Sequence, residues 1–341
     1  MRALVLTAGL GTRLRPLTFT RAKAAAPVDG ESLARRTIRW LVSHGVRDLV
    51  LNLHHKPETI TADVGDGSDL GACVRYSWES PVLGSAGGPR HALPLLQSLP
   101  RQLGEAPPDG GVARRTRNEV GTGTFFLVNG DTLTDVDLPA MLEQHRRSGA
   151  LVTMALIPNP DPAKYGGVQL DAHGAVRAFT PRRSPAPSFH FIGPQVVEAE
   201  AFAPLEDGVV SESVLGIYPR YIAERSGSVM GFVCAAAFRD IGTPADLLQT
   251  SLDLAAVDGR PGRPRWGRNV HVDPSATITR SVLWDEVTVG AGARVSECVL
   301  ADGVTIPPGA SYDRCAIVAA PDGLVVAKLD NSLQTPAERL G

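Results

Sequence analysis

The sequence has little of what would mark several common classes. Cysteine is scarce. Cys73, Cys234, Cys298 and Cys315 are the four present, with no Cys-x-x-Cys spacing and no paired histidine ligands. That excludes a zinc ribbon and a disulfide scaffold, and predicts free thiols in a reducing compartment. Charge of one sign is also lacking: 34 Lys and Arg against 36 Asp and Glu leave a net charge of −2. No basic field is available to hold a nucleic-acid backbone. No apolar run approaches the roughly 18–20 residues of a membrane span. Met1-Arg-Ala-Leu-Val-Leu6 enters a strand without the apolar core and cleavage site of a signal peptide. The expectation is a cytoplasmic protein without nucleic-acid or membrane partners. A Ser/His/Asp triad and a catalytic Cys/His pair are missing as well.

What is present is patterned. The 341 residues suit about two domains. Ala3–Thr7, Asp48–Asn52, Val74–Trp78, Phe125–Asn129 and Leu151–Ile157 read as strands. Leu33–His44, Pro57–Val64 and Leu138–Arg147 read as helices between them. This alternation predicts an α/β fold with a mostly parallel, Rossmann-like sheet covered on both faces. Residues 101–122 are polar, rich in Gly and Pro, and contain Arg114, Arg115 and Arg117; they read as a mobile surface loop.

The C-terminal part repeats when shifted by 17 residues. Val270, Val287 and Val304 align, as do Val272, Val289 and Ile306, and Ala276, Ala293 and Ala310. Ile278, Val295 and Tyr312 follow, then Ser281, Cys298 and Cys315, then Leu283, Leu300 and Ile317. Short strands whose apolar columns stack suit a β-solenoid of about three coils. The expected division is a catalytic domain over 1–256, a Gly/Pro/Arg linker over 257–269, a coil domain over 270–320 and a tail over 321–341.

Three segments carry chemistry. The first is Leu6-Thr-Ala-Gly-Leu-Gly-Thr-Arg-Leu-Arg-Pro-Leu-Thr18, with Lys23 and Pro27-Val28 beyond it. A glycine-rich turn after a strand frees backbone N–H groups for phosphate oxygens. Arg13 and Lys23 add the charge to bind a triphosphate and to offset charge developing in transfer. A Rossmann turn would need a third glycine where Leu14 stands, and a P-loop would need Gly-Lys-Ser/Thr where Thr12-Arg13 stands. The second is Val128-Asn-Gly-Asp131, which ends a strand on a carboxylate, either a ligand group at the sheet edge or a turn cap. The third is Phe238-Arg-Asp-Ile-Gly-Thr-Pro-Ala-Asp246, in which Asp246 reads as helical decoration.

Taken together, the first string resembles the motif of sugar-1-phosphate nucleotidyltransferases, Gly-x-Gly-Thr-Arg-Leu-x-Pro-Leu-Thr with Lys and Pro-Val in register. Ala22 departs from the family's usual Pro. The resemblance extends to the metal-binding strand-Asn-Gly-Asp, and to Trp-x-Asp-Ile-Gly-Thr-Pro with Phe238 in place of Trp. It implies Mg²⁺ held by Asp131 and Asp240. It also implies nucleotide binding by Ala8, Gly9, Gly11 and Thr12, and by the loop Leu83-Gly-Ser-Ala-Gly-Gly88, through Gly84, Ser85, Gly87 and Gly88. Tyr165-Gly-Gly-Val168 and Phe189-His-Phe-Ile-Gly193 resemble the sugar-side segments and bring in Gly166, His190 and Gly193. Thr180-Pro-Arg-Arg183 stands where the family has Glu-Lys-Pro, so Arg182 or Arg183 would meet the sugar phosphate, with bidentate geometry. The C-terminal repeat resembles the left-handed hexapeptide β-helix, one residue short of its usual coil.

The implied reaction joins an NTP to a sugar 1-phosphate and releases pyrophosphate. The sugar phosphate is itself the nucleophile, so no protein nucleophile is required. Asn52-Leu-His-His-Lys-Pro57 and the coils resemble the branch that uses GTP and mannose 1-phosphate to make GDP-mannose. UTP, dTTP or ATP, other sugars, and a non-catalytic ligand-sensing subunit are the alternatives. Acyl transfer by the coils is disfavoured, since about three coils form no acyl-donor groove and His271 has no evident partner. His54 and His55 read as packing or solvent contacts rather than a metal pair. The coils are expected to make a homo-oligomer, and deleting residues 268–341 to alter assembly more than chemistry.

Overall fold

The computed structural model describes residues 1–98 and 123–329. The segment 101–122, expected as a loop, and its arginines lie outside the described residues, as do residues 99–100 and 330–341. The chain forms two compact units that interleave in sequence. One is Met1–Gly9 with Ala34–Phe238, and the other is Leu10–Leu33 with Arg239–Gly341. Residues 10–33 therefore group with the C-terminal part of the chain, and Leu14, Leu17, Ala22, Ala25 and Val28 along them are fully buried.

The first unit is built on a nine-stranded sheet. In chain order its strands are β1 (Arg2–Leu6), β2 (Asp48–Leu53), β3 (Cys73–Trp78), β4 (Thr124–Asn129), β5 (Val152–Pro158), β6 (Gly167–Leu170), β7 (Val176–Thr180), β8 (Phe189–Glu198) and β9 (Val229–Val233). The centre, β4-β1-β2-β3, is parallel. Ala3, Leu4 and Val5 of β1 have no exposed surface, as expected of a continuous apolar run covered on both faces. The ten-residue β8 runs antiparallel to β4, β5 and β6. The helices of the sheet are α1 (Leu33–Ser43), α2 (Pro57–Val64), α3 (Gly84–Gln97), α4 (Leu138–Ser148) and α5 (Tyr218–Glu224). The main core gathers Leu4, Val50, Leu127, Met154, Val197 and Tyr218. Leu83–Gly88, expected as a loop, is instead the start of α3.

The second unit contains α6 (Pro244–Val257). Asp246 is not decoration: its carboxylate accepts from the Thr243 N–H at 2.9 Å while Thr243 Oγ1 accepts from the Asp246 N–H at 3.2 Å, a reciprocal capping box. A short hairpin, Pro27–Val28 with Glu31–Ser32, turns at Asp29. Asp29 is buried, with 1% exposed. It accepts from Arg260 at 2.7 and 3.1 Å and from the Arg265 N–H at 2.7 Å, which pins the 257–269 linker to the hairpin. Burial alone would raise the Asp29 pKa, but the guanidinium and the N–H outweigh it and hold the carboxyl below its ordinary value. Its stabilising effect is therefore complete above the usual carboxyl range and disappears only as pH falls through the depressed value. Asp29→Asn should cost about 1–2 kcal/mol near neutral pH, through loss of the charge-assisted hydrogen bonds that the linker makes to this carboxylate. The gap to the parent should narrow in denaturant melts as pH falls below about 4.

The coils form three parallel three-strand stacks, and one of them gains a fourth strand. Register confirms the 17-residue shift: Val272 lies on Val289 and then Ile306, Ile278 on Val295 and Tyr312, and Leu283 on Leu300 and Ile317. Corners in the left-handed backbone region recur at the same spacing, at Arg280, Glu297 and Arg314. The four cysteines are free, and burial pushes the Cys298 thiol up to about 12. The segment expected to be a tail from 321 contains a further strand, Gly323–Lys328, antiparallel to Cys315–Ala320. Doubling back lets Leu324 pack on the coil core and pairs the last coil's edge.

Candidate active site

In the first unit, β1 decides the geometry. Its last residue, Leu6, is in register with Asn52 on one side and Asn129 on the other. Both asparagines thus end at the carboxyl edge of the parallel sheet, where ligands of open α/β sheets bind. Asn52 Oδ1 accepts from the N–H groups of Thr7 at 2.6 Å and Ala8 at 3.2 Å. Its Nδ2 donates to Glu79 Oε1 at 2.7 Å, and Glu79 Oε2 accepts from the Leu83 N–H at 2.8 Å. A buried relay therefore joins the exit of β1 to the start of α3. The sequence reading missed Glu79. An acid directly after the alternating strand Cys73–Trp78 is the only local signal for it.

Asp131 is half-buried just beyond β4. Gly130 holds it there: its N–H donates to the Leu6 carbonyl at 3.0 Å, and a β-carbon at 130 would lie 2.7 Å from that oxygen. Gly193 sits in an irregularity of β8 with φ +111°. A β-carbon at Gly193 would stand 2.8 Å from Thr132 Oγ1 and 3.3 Å from Asn129 Cβ, so Gly193 and the Asp131 turn are neighbours. His190 stacks on Tyr165 with centroids 4.3 Å apart and meets Phe238 edge-on at 5.0 Å. Its Nδ1 is 3.4 Å from the Gly166 carbonyl. Arg182 and Arg183 are exposed, and the Arg183 N–H donates to Pro162 at 2.7 Å with φ +63°.

The α3 residues differ from the expected nucleobase loop. The Ala86 and Gly87 N–H groups both donate to the Ser211 carbonyl, at 2.9 and 3.1 Å. Ser85 Oγ donates to Glu212 at 2.5 Å and accepts from the Ser213 N–H at 2.9 Å. Gly87 and Gly88 are buried, and their bare α-carbons admit Val209 and Glu79 respectively. Gly84, with φ +80°, faces the Ser211 carbonyl and Glu212. Glu212 thus places a carboxylate at a helix N-terminus, where partial positive charge favours it; no local pattern marked it. His54 Nδ1 lies 2.9 Å from the Glu79 carbonyl.

In the second unit, Gly11 has φ +61°, and a β-carbon there would lie 2.8 Å from Thr18 Cγ2 and 3.1 Å from Lys23 Cβ. Thr18 Oγ1 donates to the Gly11 carbonyl at 3.1 Å. The turn is thereby folded onto the Lys23 segment. Thr12 and Arg13 are exposed. Arg13 and Asp240 converge on Gly242, whose absent β-carbon would stand 2.8 Å from Arg13 Nη1 and 3.3 Å from Asp240 Oδ2. Ala22, at φ −56° and ψ 148°, already holds the backbone shape a proline would impose. Gly9, which ends the opening stretch of the first unit, is exposed, and nothing lies within 4 Å of where its β-carbon would be. Among the described residues no group of three or more His, Cys, Asp or Glu forms a metal cluster, and no helix is long and apolar enough to cross a membrane. The donors that the sequence proposes, carboxylates alone, suit a hard cation that takes its other ligands from phosphate and water.

A sheet with a parallel centre and a glycine turn after its first strand, carboxylates after a strand edge and beside an arginine, and C-terminal coils suit a nucleotidyltransferase followed by hexapeptide repeats. The family described as nucleotidyl transferase matches residues 2–257, and the chain belongs to it. The GlmU-like C-terminal hexapeptide family matches residues 266–313. Among similar proteins, the mannose-1-phosphate guanylyltransferase of Mycobacterium tuberculosis is 30% identical over 294 residues, covering 85% of this chain and 75% of that one. A UTP–glucose-1-phosphate uridylyltransferase of Synechocystis is 30% identical over 190 residues, 52% of this chain and 43% of its own. The crystal structure of HddC from Yersinia pseudotuberculosis shares the fold, with a TM-score of 0.58 at 19% identity over 73% of this chain and 97% of that one. The resemblance to sugar-1-phosphate nucleotidyltransferases is borne out at the level of the family.

Proposed function

We propose that the protein transfers a guanylyl group from GTP to mannose 1-phosphate in the cytoplasm, giving GDP-mannose and pyrophosphate. The observation that carries the chemistry is the approach of Arg13 and Asp240 to one bare glycine. A cation and a carboxylate held there, with Lys23 folded under Gly11, suit a phosphate chain better than a neutral ligand. A sugar-phosphate oxygen attacks the α-phosphorus, the bond to the β-phosphate bridge breaks, and the electron pair leaves with pyrophosphate. Arg13 and Lys23 bind the triphosphate and offset the growing charge, while the open space at Gly9 lets backbone approach phosphate. The resemblance assigns Mg²⁺ to Asp131 and Asp240, where it would supply charge neutralisation at the phosphates. Gly166, His190 and Gly193 serve the sugar, with Arg182 or Arg183 for its phosphate. Guanine and mannose are favoured by the relative that spans 85% of the chain.

A second reading, a ligand-sensing subunit, is favoured only by Thr180-Pro-Arg-Arg183 in place of Glu-Lys-Pro. One screen tests both. Each NTP is crossed with several sugar 1-phosphates in Mg²⁺, and products are weighed by mass spectrometry. GDP-mannose as the main product is expected. Another NDP-sugar would reassign the substrates, and no product from any pair would favour the sensor. Assembly through the coils is tested by light scattering, with a multimer expected.

A further inference from the structure

Arg21 lies two residues before Lys23 in the glycine-rich segment and points its guanidinium at the coils. Its Nε is 2.6 Å from Asp302 Oδ2, its Nη2 is 2.7 Å from Asp302 Oδ1, and the same Nη2 is 2.8 Å from Asp285 Oδ2. The guanidinium carbon lies 5.7 Å from the centroid of the Trp284 ring. The side chain is 18% exposed, and its two partners 16% and 23%. A bidentate, half-buried arginine–carboxylate pair is rigid in a way an exposed ion pair is not.

Asp285 and Asp302 are 17 residues apart and occupy one column of successive coils, as does Arg268 one coil earlier. Arg268 Nη2 pairs with Asp285 at 2.9 Å, and the Asp285 N–H donates to Asp302 Oδ1 at 3.1 Å. Within the solenoid, this column carries one cation and two anions. Arg21 supplies the missing positive charge from the segment that bears Lys23. Ala22, which follows it, is fully buried and starts the tight turn Lys23–Ala25. A second hold lies close by, where Leu17–Phe19 packs beside Cys315–Ala320.

We propose that Arg21 is a positioning residue through which the coils hold the Lys23 turn under Gly11, so that the solenoid is part of the catalytic apparatus and not an assembly module alone. This rests on Lys23 acting as proposed above. It also runs against the expectation that losing residues 268–341 would alter assembly more than chemistry, since that deletion removes both partners of Arg21.

The test uses the full chain and the variants Arg21→Ala, Arg21→Lys, Asp302→Asn and Lys23→Ala. Hydrogen–deuterium exchange of peptides within residues 10–26 reads the clamp without reference to activity. Steady-state kinetics with GTP and mannose 1-phosphate read its consequence. Arg21→Ala should speed exchange there and lower kcat, each by roughly tenfold or more, while KM for the sugar phosphate moves less than about threefold. Arg21→Lys should recover part of the loss, because it keeps the charge but not the bidentate geometry. Asp302→Asn should shift both readouts in the same direction by less, and carries the test should Arg21→Ala fail to fold. Unchanged exchange in a folded variant overturns the clamp. Faster exchange with unaltered kcat overturns the positioning role. Full activity of Lys23→Ala overturns the reading of Lys23 instead, and the positioning role falls with it.

Discussion

Asp131→Asn and Asp240→Asn are each expected to lower turnover by about 10²–10³-fold, the range seen when one preorganised charge-stabilising group is removed. Asparagine keeps the size and one carbonyl oxygen of aspartate but not the negative charge that a hard cation requires. The fold should survive both changes. Asp131 is held by the Gly130 contact to Leu6, which is backbone, and Asp240 is half-buried near a strand end. Pyrophosphate release against Mg²⁺ concentration measures the effect. Each variant should also need more Mg²⁺ to reach half of its own maximal rate. Full turnover in either one would remove that aspartate from the metal assignment.

Arg13→Ala should reduce kcat/KM for the NTP by roughly 10²-fold while leaving thermal stability close to the parent's, since an exposed arginine contributes little to packing. Gly242→Ala gives a finer test of the same point. Its new methyl would lie 2.8 Å from Arg13 Nη1, the far end of a flexible side chain that can swing away at small structural cost. Turnover should fall by roughly tenfold because the guanidinium is displaced and not lost. Kinetics together with a melting curve separate the two effects. A Gly242→Ala enzyme that melts early would mean that the glycine serves packing, whereas one that melts normally and turns over slowly locates Arg13 in the reaction.

Much of this was legible from local pattern. Buried strands announce themselves by apolar runs, so Ala3–Thr7 and Phe125–Asn129 were found within a residue of their observed ends. The solenoid's register was set by the repeat, since a column of like residues every 17 positions can stack in one way only. The run Leu83–Gly88 misled, because three glycines suggest a loop; here they admit Val209, Glu79 and Ser211 against the first turn of α3. Asp246 was passed over because a capping box depends on where the helix starts.

The sequence by itself determined the order of strands and helices, the glycine turn with its two bases, the two aspartates and the period of the coils. Each of these is written in neighbouring residues or in a fixed spacing. Only the tertiary structure decided that Asn52 and Glu79 tie β1 to α3, that Arg13 meets Asp240 at Gly242, and that residues 10–33 belong with the coils. Arg21 and Asp302 are 281 positions apart. Partners so distant share no local periodicity, and a charged side chain reveals its mate only once the chain between them has folded.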